Sequence, residues 1–197
     1  MNSRVPRMHD QNTATHMRDS RPRWGGWHGL IQKYLADLIY GANDGIVTTL
    51  AIISGVVGAG LSARVILILG FANLIADGFS MGASNYLSKR TGKAEDHASR
   101  SDATKHGTAT FLGFISAGMM PLLAYLIPGI VVDRFMVAVL IALLTLFAVG
   151  ASRALFSDER WFRGGFEMFL IGALAGAVAY GIGVIGSQLI GNNEAFA

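Results

Sequence analysis

Residues 35–57 read LADLIYGANDGIVTTLAIISGVV, a segment that indicates the class of fold. At about 1.5 Å of rise per residue, its 23 residues make a helix long enough to cross a hydrocarbon slab of about 30 Å. The apolar run is nevertheless interrupted by Asp37, Asn43 and Asp44. A charged side chain inside a bilayer costs on the order of 3 kcal/mol, so such residues normally pair, line a cavity or serve function. The segment therefore predicts a transmembrane helix that carries a polar site.

Four further apolar segments follow, and together the five predict an all-α integral membrane protein. Of the 197 residues, 52% are hydrophobic and only 15% are charged, whereas a soluble domain has about a quarter charged residues. The predicted transmembrane domain is residues 30–191, with spans at residues 35–57, 65–87, 108–127, 135–155 and 166–190. Residues 1–29 predict a disordered cytoplasmic tail with interfacial tryptophans at Trp24 and Trp27, and residues 192–197 a short C-terminal tail.

Lysine and arginine are distributed unevenly among the predicted loops. Fourteen of the sixteen fall in the N-terminal tail and in the connections after the second and fourth spans. Cytoplasmic loops carry such an excess, so the N-terminus is predicted in the cytoplasm and the C-terminus outside. Basic residues beside apolar spans indicate a bilayer as the partner and not a nucleic acid. The chain has no cysteine, which excludes disulfides, zinc–thiolate sites and thiol nucleophiles.

Carboxylates and their helical neighbours form a candidate cation site. In the second span Asn73, Asp77 and Met81 follow one another at four-residue spacing and share one stripe of the helix. In the first span Asn43 and Asp44 lie side by side. Carboxylate and amide oxygens combined with a thioether favour a first-row divalent ion such as iron(II). Four small residues at the same spacing predict close helix packing: Gly41, Gly45, Gly78 and Gly82.

The connection of residues 88–107 contains several acids and imidazoles. On the cytoplasmic side they are candidates to collect metal before transport, although a solvated loop of mixed charge is the simpler interpretation. The candidate capture residues are Glu95, Asp96, His97 and His106.

The segments YGANDGIVTTLAIISGVVGAGLS and GFANLIADGFSMGASNYLSKR resemble the vacuolar iron transporter family. The later segments TFLGFISAGMMPLLAYLIPG and GGFEMFLIGALAGAVAYGIG are similar to its third and fifth helices, so the resemblance covers about residues 35–191. It implies a five-helix homodimer that exports iron(II) or manganese(II) from the cytoplasm in exchange for protons, in a bacterial inner membrane. The family's transport aspartate falls on Asp44 and its methionine on Met81.

Two departures from the family pattern affect these expectations. The family's second-helix glutamate falls on Asn73, and we expect Asp77, one turn further along, to supply the missing carboxylate. Characterised eukaryotic relatives insert a glutamate-rich metal-binding domain between the second and third helices, but only about twenty residues join them here. Cytoplasmic metal capture is therefore expected to be weak, confined to residues of this connection, or absent.

Other classes of protein remain as alternatives. A non-transporting accessory membrane protein would tolerate alanine at Asp44 and Asp77, and competition among metals would identify a transporter of another cation. A membrane-embedded, metal-dependent lipid enzyme needs an Ala–Arg and further spaced aspartates after Asp77–Gly78, and the sequence lacks both. It also lacks an HExxH motif and a GxxxxGK phosphate loop, and its one GxSxG match, GFSMG at residues 78–82, lies inside the predicted second span and not at a strand-to-helix turn. We therefore predict a non-enzyme without a permanently bound cofactor, whose cargo is iron(II) or manganese(II).

Overall fold

Five long helices make up the computed structural model, which describes residues 27–91, 99–128, 132–155 and 160–191. No strand occurs in these four ranges, and all five helices are long and apolar enough to cross a membrane. The predicted all-α fold with five spans is confirmed. The helices are α1 (Trp27–Gly58), α2 (Ala63–Thr91), α3 (Arg100–Leu126), α4 (Arg134–Ser152) and α5 (Trp161–Gly191), and a short 3-10 turn, Arg153–Leu155, follows α4.

The helices extend beyond the apolar spans read from the sequence. α3 begins at Arg100, well before the predicted span at residue 108, and α2 continues to Thr91. Ser99 caps α3, because its Oγ accepts a hydrogen bond from the backbone N–H of Asp102 at 3.2 Å. Most of the predicted 88–107 connection is therefore helical. The prediction made these helices too short because hydropathy shows where an apolar run stops, and a helix can continue beyond it with polar residues. Trp24 and residues 192–197 lie outside the described residues.

α3 is central to the half of the bundle that carries the candidate site. It packs along α1 over its length and against α2, whereas the direct contact between α1 and α2 is smaller. α5 packs against α1 and α4 on the other side. Two hydrophobic clusters fill these contacts, one around Phe114 and Leu122 of α3 and one around Ile46 and Leu146.

Glycines allow α1 and α3 to approach until their backbones touch. A Cβ added at Gly41 would lie 2.1 Å from the Thr110 carbonyl oxygen, and one at Gly45 would lie 2.2 Å from that of Phe114. On α2, a Cβ at Gly82 would lie 2.8 Å from the Gly107 carbonyl oxygen. Gly78 faces the Phe114 ring. The four glycines singled out in the sequence therefore all lie at contacts with α3.

The outward faces of the bundle are largely apolar. Large hydrophobic side chains are exposed along every helix, for example Phe79 of α2 at 70% and Leu174 of α5 at 67%. Exposed apolar surface on this scale is unstable in water and is the surface that lipid covers. The structure thus agrees with an integral membrane protein.

Candidate functional site

Asp44 lies in α1 and is partly buried. The hydroxyl of Thr48 donates to the backbone carbonyl of Asp44 at 2.9 Å and leaves the carboxylate free. Among the described residues, no group donates a hydrogen bond to this carboxylate and no cation pairs with it. Asp77 of α2 is the charged group with which it interacts electrostatically. The two carboxylates thus interact with each other across the contact between α1 and α2.

Asp77 lies on the exposed face of α2, next to α1. One turn before it, the amide of Asn73 donates to the Thr48 hydroxyl at 3.3 Å and joins the two helices. One turn after it, Met81 is partly buried and packs against the cluster around Phe114. We call this line of contact, formed by Asp44, Thr48, Asn73, Asp77 and Met81, the α1–α2 seam. Along the seam, the predicted stripe of α2 faces Asp44 and Thr48 of α1.

Asn43, next to Asp44 in α1, carries an unsatisfied acceptor. Its side-chain oxygen Oδ1 is buried and has no hydrogen-bond partner among the described residues. A buried amide oxygen without a partner costs roughly 1–3 kcal/mol, and protein structures tolerate few of them.

His106 occupies a different environment from the loop position expected for metal capture. It is buried in α3, and its Nδ1 is hydrogen bonded to Asp37 Oδ2 of α1. The other oxygen of Asp37 accepts a hydrogen bond from Asn85 of α2 at 2.8 Å. The remaining capture candidates, Glu95, Asp96 and His97, lie outside the described residues.

Asn85 is not among the site residues predicted from the sequence, although its spacing was a signal for it. Asn85 continues the four-residue spacing of Asn73, Asp77 and Met81 by one more turn. Because a turn of α-helix has 3.6 residues, each four-residue step moves slightly around the helix. Asn85 therefore lies on the side of α2 that packs on α3, and its amide also donates to Thr110 Oγ1 at 2.5 Å.

One chain does not complete a metal site. In the part of the chain that the structure describes, no group of three or more histidine, cysteine, aspartate or glutamate side chains is close enough to hold an ion. The seam offers two carboxylates and a thioether, fewer donors than the four to six that divalent transition metals usually take. An ion bound in the seam would need additional donors beyond those of the described residues of one chain.

Comparison with known proteins gives a consistent family assignment. A model of the VIT family matches residues 35–106 and 91–184, and the two matches overlap where α2 passes to α3. The vacuolar iron transporter of Plasmodium berghei (strain Anka) is 24% identical over 229 residues, covering 80% of this chain and 84% of the relative. That of Toxoplasma gondii (strain ATCC 50861 / VEG) is 26% identical over 231 residues, with 81% and 76% covered.

Plant relatives show the same similarity. Vacuolar iron transporter 1 of Arabidopsis thaliana is 23% identical over 217 residues, covering 78% of this chain and 86% of the relative. Vacuolar iron transporter homolog 5 of Oryza sativa subsp. japonica is 28% identical over 167 residues, covering 76% of this chain and 79% of the relative. The alignment to the rice protein is 167 residues long for 76% of this chain, whereas the other three alignments are 217 to 231 residues long for 78% to 81% of it. The rice alignment therefore contains far fewer inserted positions.

Proposed function

The chain belongs to the VIT family, and from that premise we propose that it carries iron(II) or manganese(II) across the membrane in exchange for protons. The printed names of the relatives, vacuolar iron transporter, support iron as the cargo. We propose a bacterial inner membrane as the location, on the resemblance described above.

The pair of carboxylates in the α1–α2 seam carries this proposal. Asp44 and Asp77 lie in helices of membrane-spanning length and interact electrostatically with each other, and the described residues provide no cation for either. Two like charges held together in a partly dry environment repel each other. A divalent cation removes that repulsion, and so does a proton on one carboxylate. The seam is therefore suited to hold either cargo.

Exchange follows from the chemistry of carboxylate ligands. A carboxylate binds a metal only when it is ionised, so protonation from one side of the membrane releases the metal and metal entry from the other side releases the proton. The thioether of Met81 favours softer first-row ions over magnesium and calcium. Asn73 and Asn43 contribute amide oxygens or orient water around the ion.

We propose that a second copy of the chain completes the site. Asp77 is exposed on a face of α2 that also presents Ile75 and Phe79. In a single chain this carboxylate would face lipid, which costs on the order of 3 kcal/mol. A two-fold dimer through the open side of the seam would cover Asp77 and bring together four carboxylates and two thioethers.

The direction of transport is proposed from the resemblance to the family, and the distribution of charge supplies only the orientation of the chain. With the basic connections in the cytoplasm, α1 enters the membrane from that side and the C-terminus lies outside. Metal held in the seam would leave towards the outside in exchange for incoming protons, which makes the protein an exporter.

The test uses the purified full-length chain in sealed vesicles that contain a metal-sensitive dye. Uptake of iron(II), manganese(II), cobalt(II), nickel(II) and zinc(II) is measured with and without a pH gradient. We expect wild-type uptake of iron(II) or manganese(II) to be accelerated by the gradient, and Asp44→Asn and Asp77→Asn each to reduce it by about a hundredfold, the loss of a principal charge contact.

Asp133→Asn is the matched control. Asp133 caps α4 through a 2.9 Å hydrogen bond from the backbone N–H of Phe135, and asparagine caps a helix equally well. This variant also removes one carboxylate but lies outside the seam, so it should transport as the wild type does. Full transport by Asp44→Asn would refute the proposed function.

A further inference from the structure

A line of polar groups leads from the exposed end of α3 into the bundle. Asp102, in the first turn of α3, is partly exposed and accepts hydrogen bonds from Lys33 Nζ at 2.7 Å and from the Tyr34 hydroxyl at 2.6 Å. His106, one turn further along α3, has its Nε2 atom 3.8 Å from Asp102 Oδ2. The two nitrogens of the imidazole therefore face in different directions, Nε2 towards the surface and Nδ1 towards Asp37.

The inner end of this line is buried and fully partnered. His106 is 6% exposed, and its ring meets the ring of Tyr34 edge to face at 4.7 Å. Asp37 Oδ2 is bonded to Nδ1 of His106, and Asn85 occupies Oδ1. The charged and titratable groups that face His106 are thus Asp37, Asp102 and Tyr34, with Lys33 attached to Asp102. From α2, the neutral amide of Asn85 bonds to Asp37 and lies 3.5 Å from the backbone carbonyl oxygen of His106.

Packing alone does not account for these residues. Placing an ionisable pair in the interior of a membrane bundle costs free energy that apolar side chains of the same volume would not cost. An imidazole that is hydrogen bonded to one carboxylate, with its second nitrogen 3.8 Å from another carboxylate near the surface, is in contrast suited to pass a proton inward from water at the surface. Neither Asp37 nor His106 belongs to the α1–α2 seam, so the exchange described above leaves them without a role.

Asp37, at the inner end of this line of polar groups, lies on the same helix as Asp44 of the seam. Asp37 and Asp44 are seven residues apart on α1, or about 10.5 Å along the helix axis. Along α1, Asp37 lies between Asp44 and the end of the bundle where Lys33 is exposed and Asp102 is partly exposed. It is therefore the carboxylate from which a proton taken up at that end would continue towards the seam.

We propose that Asp102, His106 and Asp37 form a proton route between the aqueous phase and the α1–α2 seam, and that these residues carry protons and not metal. This inference rests on the proposed function. In the step at His106, Nε2 accepts one proton from water beside Asp102, whose ion pair with Lys33 keeps that carboxylate ionised, while Nδ1 gives one proton to the ionised Oδ2 of Asp37. One N–H bond forms as another breaks, so the charge of the ring is the same before and after. Asn85 is a positioning residue, because it holds Oδ1 of Asp37 and leaves Oδ2 to the imidazole.

Two kinds of transport by the same vesicles separate a proton route from a structural role. Net uptake driven by a pH gradient requires protons to move, whereas exchange of radiolabelled metal at equal metal concentration and equal pH on both sides does not. The probe is manganese(II), or iron(II) kept reduced with ascorbate, whichever the wild type carries faster. The variants are His106→Gln and Asp37→Asn, each of which retains hydrogen-bonding groups but cannot relay a proton.

We expect both variants to lose net uptake by at least about tenfold while isotope exchange stays within about twofold of wild type. Lys105→Gln, an exposed neighbour on α3, is the control and should change neither rate. Equal losses of net uptake and exchange would mean that the residues only support the fold and would overturn the proposal, as would unchanged net uptake. If His106→Gln does not fold, as judged by its elution as a single species and by its melting temperature, Asp37→Asn decides the question.

The two proposals fail in different ways. Absence of both net uptake and exchange in the wild type would refute the function itself. Wild-type transport that is lost in Asp44→Asn but unaffected in His106→Gln and Asp37→Asn would leave the function intact and overturn only the proton route.

Discussion

Gly45→Ala should destabilise the bundle, because Gly45 lies where the backbones of α1 and α3 touch. The added Cβ would lie 2.2 Å from the Phe114 carbonyl oxygen, and ordinary van der Waals contact begins at 3.4 Å. α1 and α3 would have to separate by about 1.2 Å, and no side-chain rotation can relieve a clash with backbone. Overpacking of this kind costs about 3 kcal/mol, against a gain of about 1 kcal/mol in helix propensity. We therefore expect the free energy of unfolding to fall by about 2 kcal/mol.

Gly186→Ala is the matched control for this substitution. Gly186 also lies inside a helix, α5, but among the described residues nothing lies within 4 Å of a Cβ built on it. This variant gains helix propensity without a clash, so it should be neutral or more stable by up to about 1 kcal/mol.

Reversible unfolding in mixed micelles of a mild detergent and SDS, followed by circular dichroism, measures both free energies. The reasoning fails if Gly45→Ala is as stable as the wild type, or if the two variants lose the same free energy.

Two further predictions concern the seam and its second copy. The chain has no cysteine, so a single introduced cysteine reports on contacts between two copies. Ser80→Cys, on the exposed face of α2 one turn from Asp77, should form a disulfide-linked dimer under mild oxidation in membranes, whereas Leu174→Cys on α5 should not. Equal cross-linking at both positions on a gel would exclude α2 as the interface. Asn73→Asp adds a carboxylate to the seam at the position of the family's glutamate and should tighten manganese(II) binding by about tenfold, the effect of one more charged ligand at partly screened distance. Calorimetric titration measures this affinity, and weaker binding than wild type would show that the Asn73–Thr48 hydrogen bond matters more than charge.

Much of the candidate site could be identified from single helices. Asp44 and Asp77 are conspicuous because ionised groups are rare in apolar spans, and that argument needs no knowledge of the neighbouring helices. The four-residue spacing of Asn73, Asp77 and Met81 places them on one stripe for the same reason. Their roles in transport remain proposals.

The environment of His106 could not be identified in this way. Its partner, Asp37, is 69 residues away in the sequence, and only the packing of α3 along α1 brings the two together. From the sequence His106 belongs to a polar connection, because the hydropathy of residues 88–107 does not distinguish a loop from the polar end of a helix. The Ser99 cap, which starts α3 before His106, is a local signal that could have corrected this.

Five membrane-spanning helices can be predicted from the amino-acid sequence alone, because the length of each apolar run is compared with the thickness of the hydrocarbon one segment at a time. The glycines that allow helices to approach can be recognised in the same way. The packing of the helices was needed to show that Gly41 and Gly45 of α1 contact α3 and that Asp77 stays uncovered. A small residue or a polar stripe permits a close contact but does not specify its partner, since the choice depends on how all five helices fill space together.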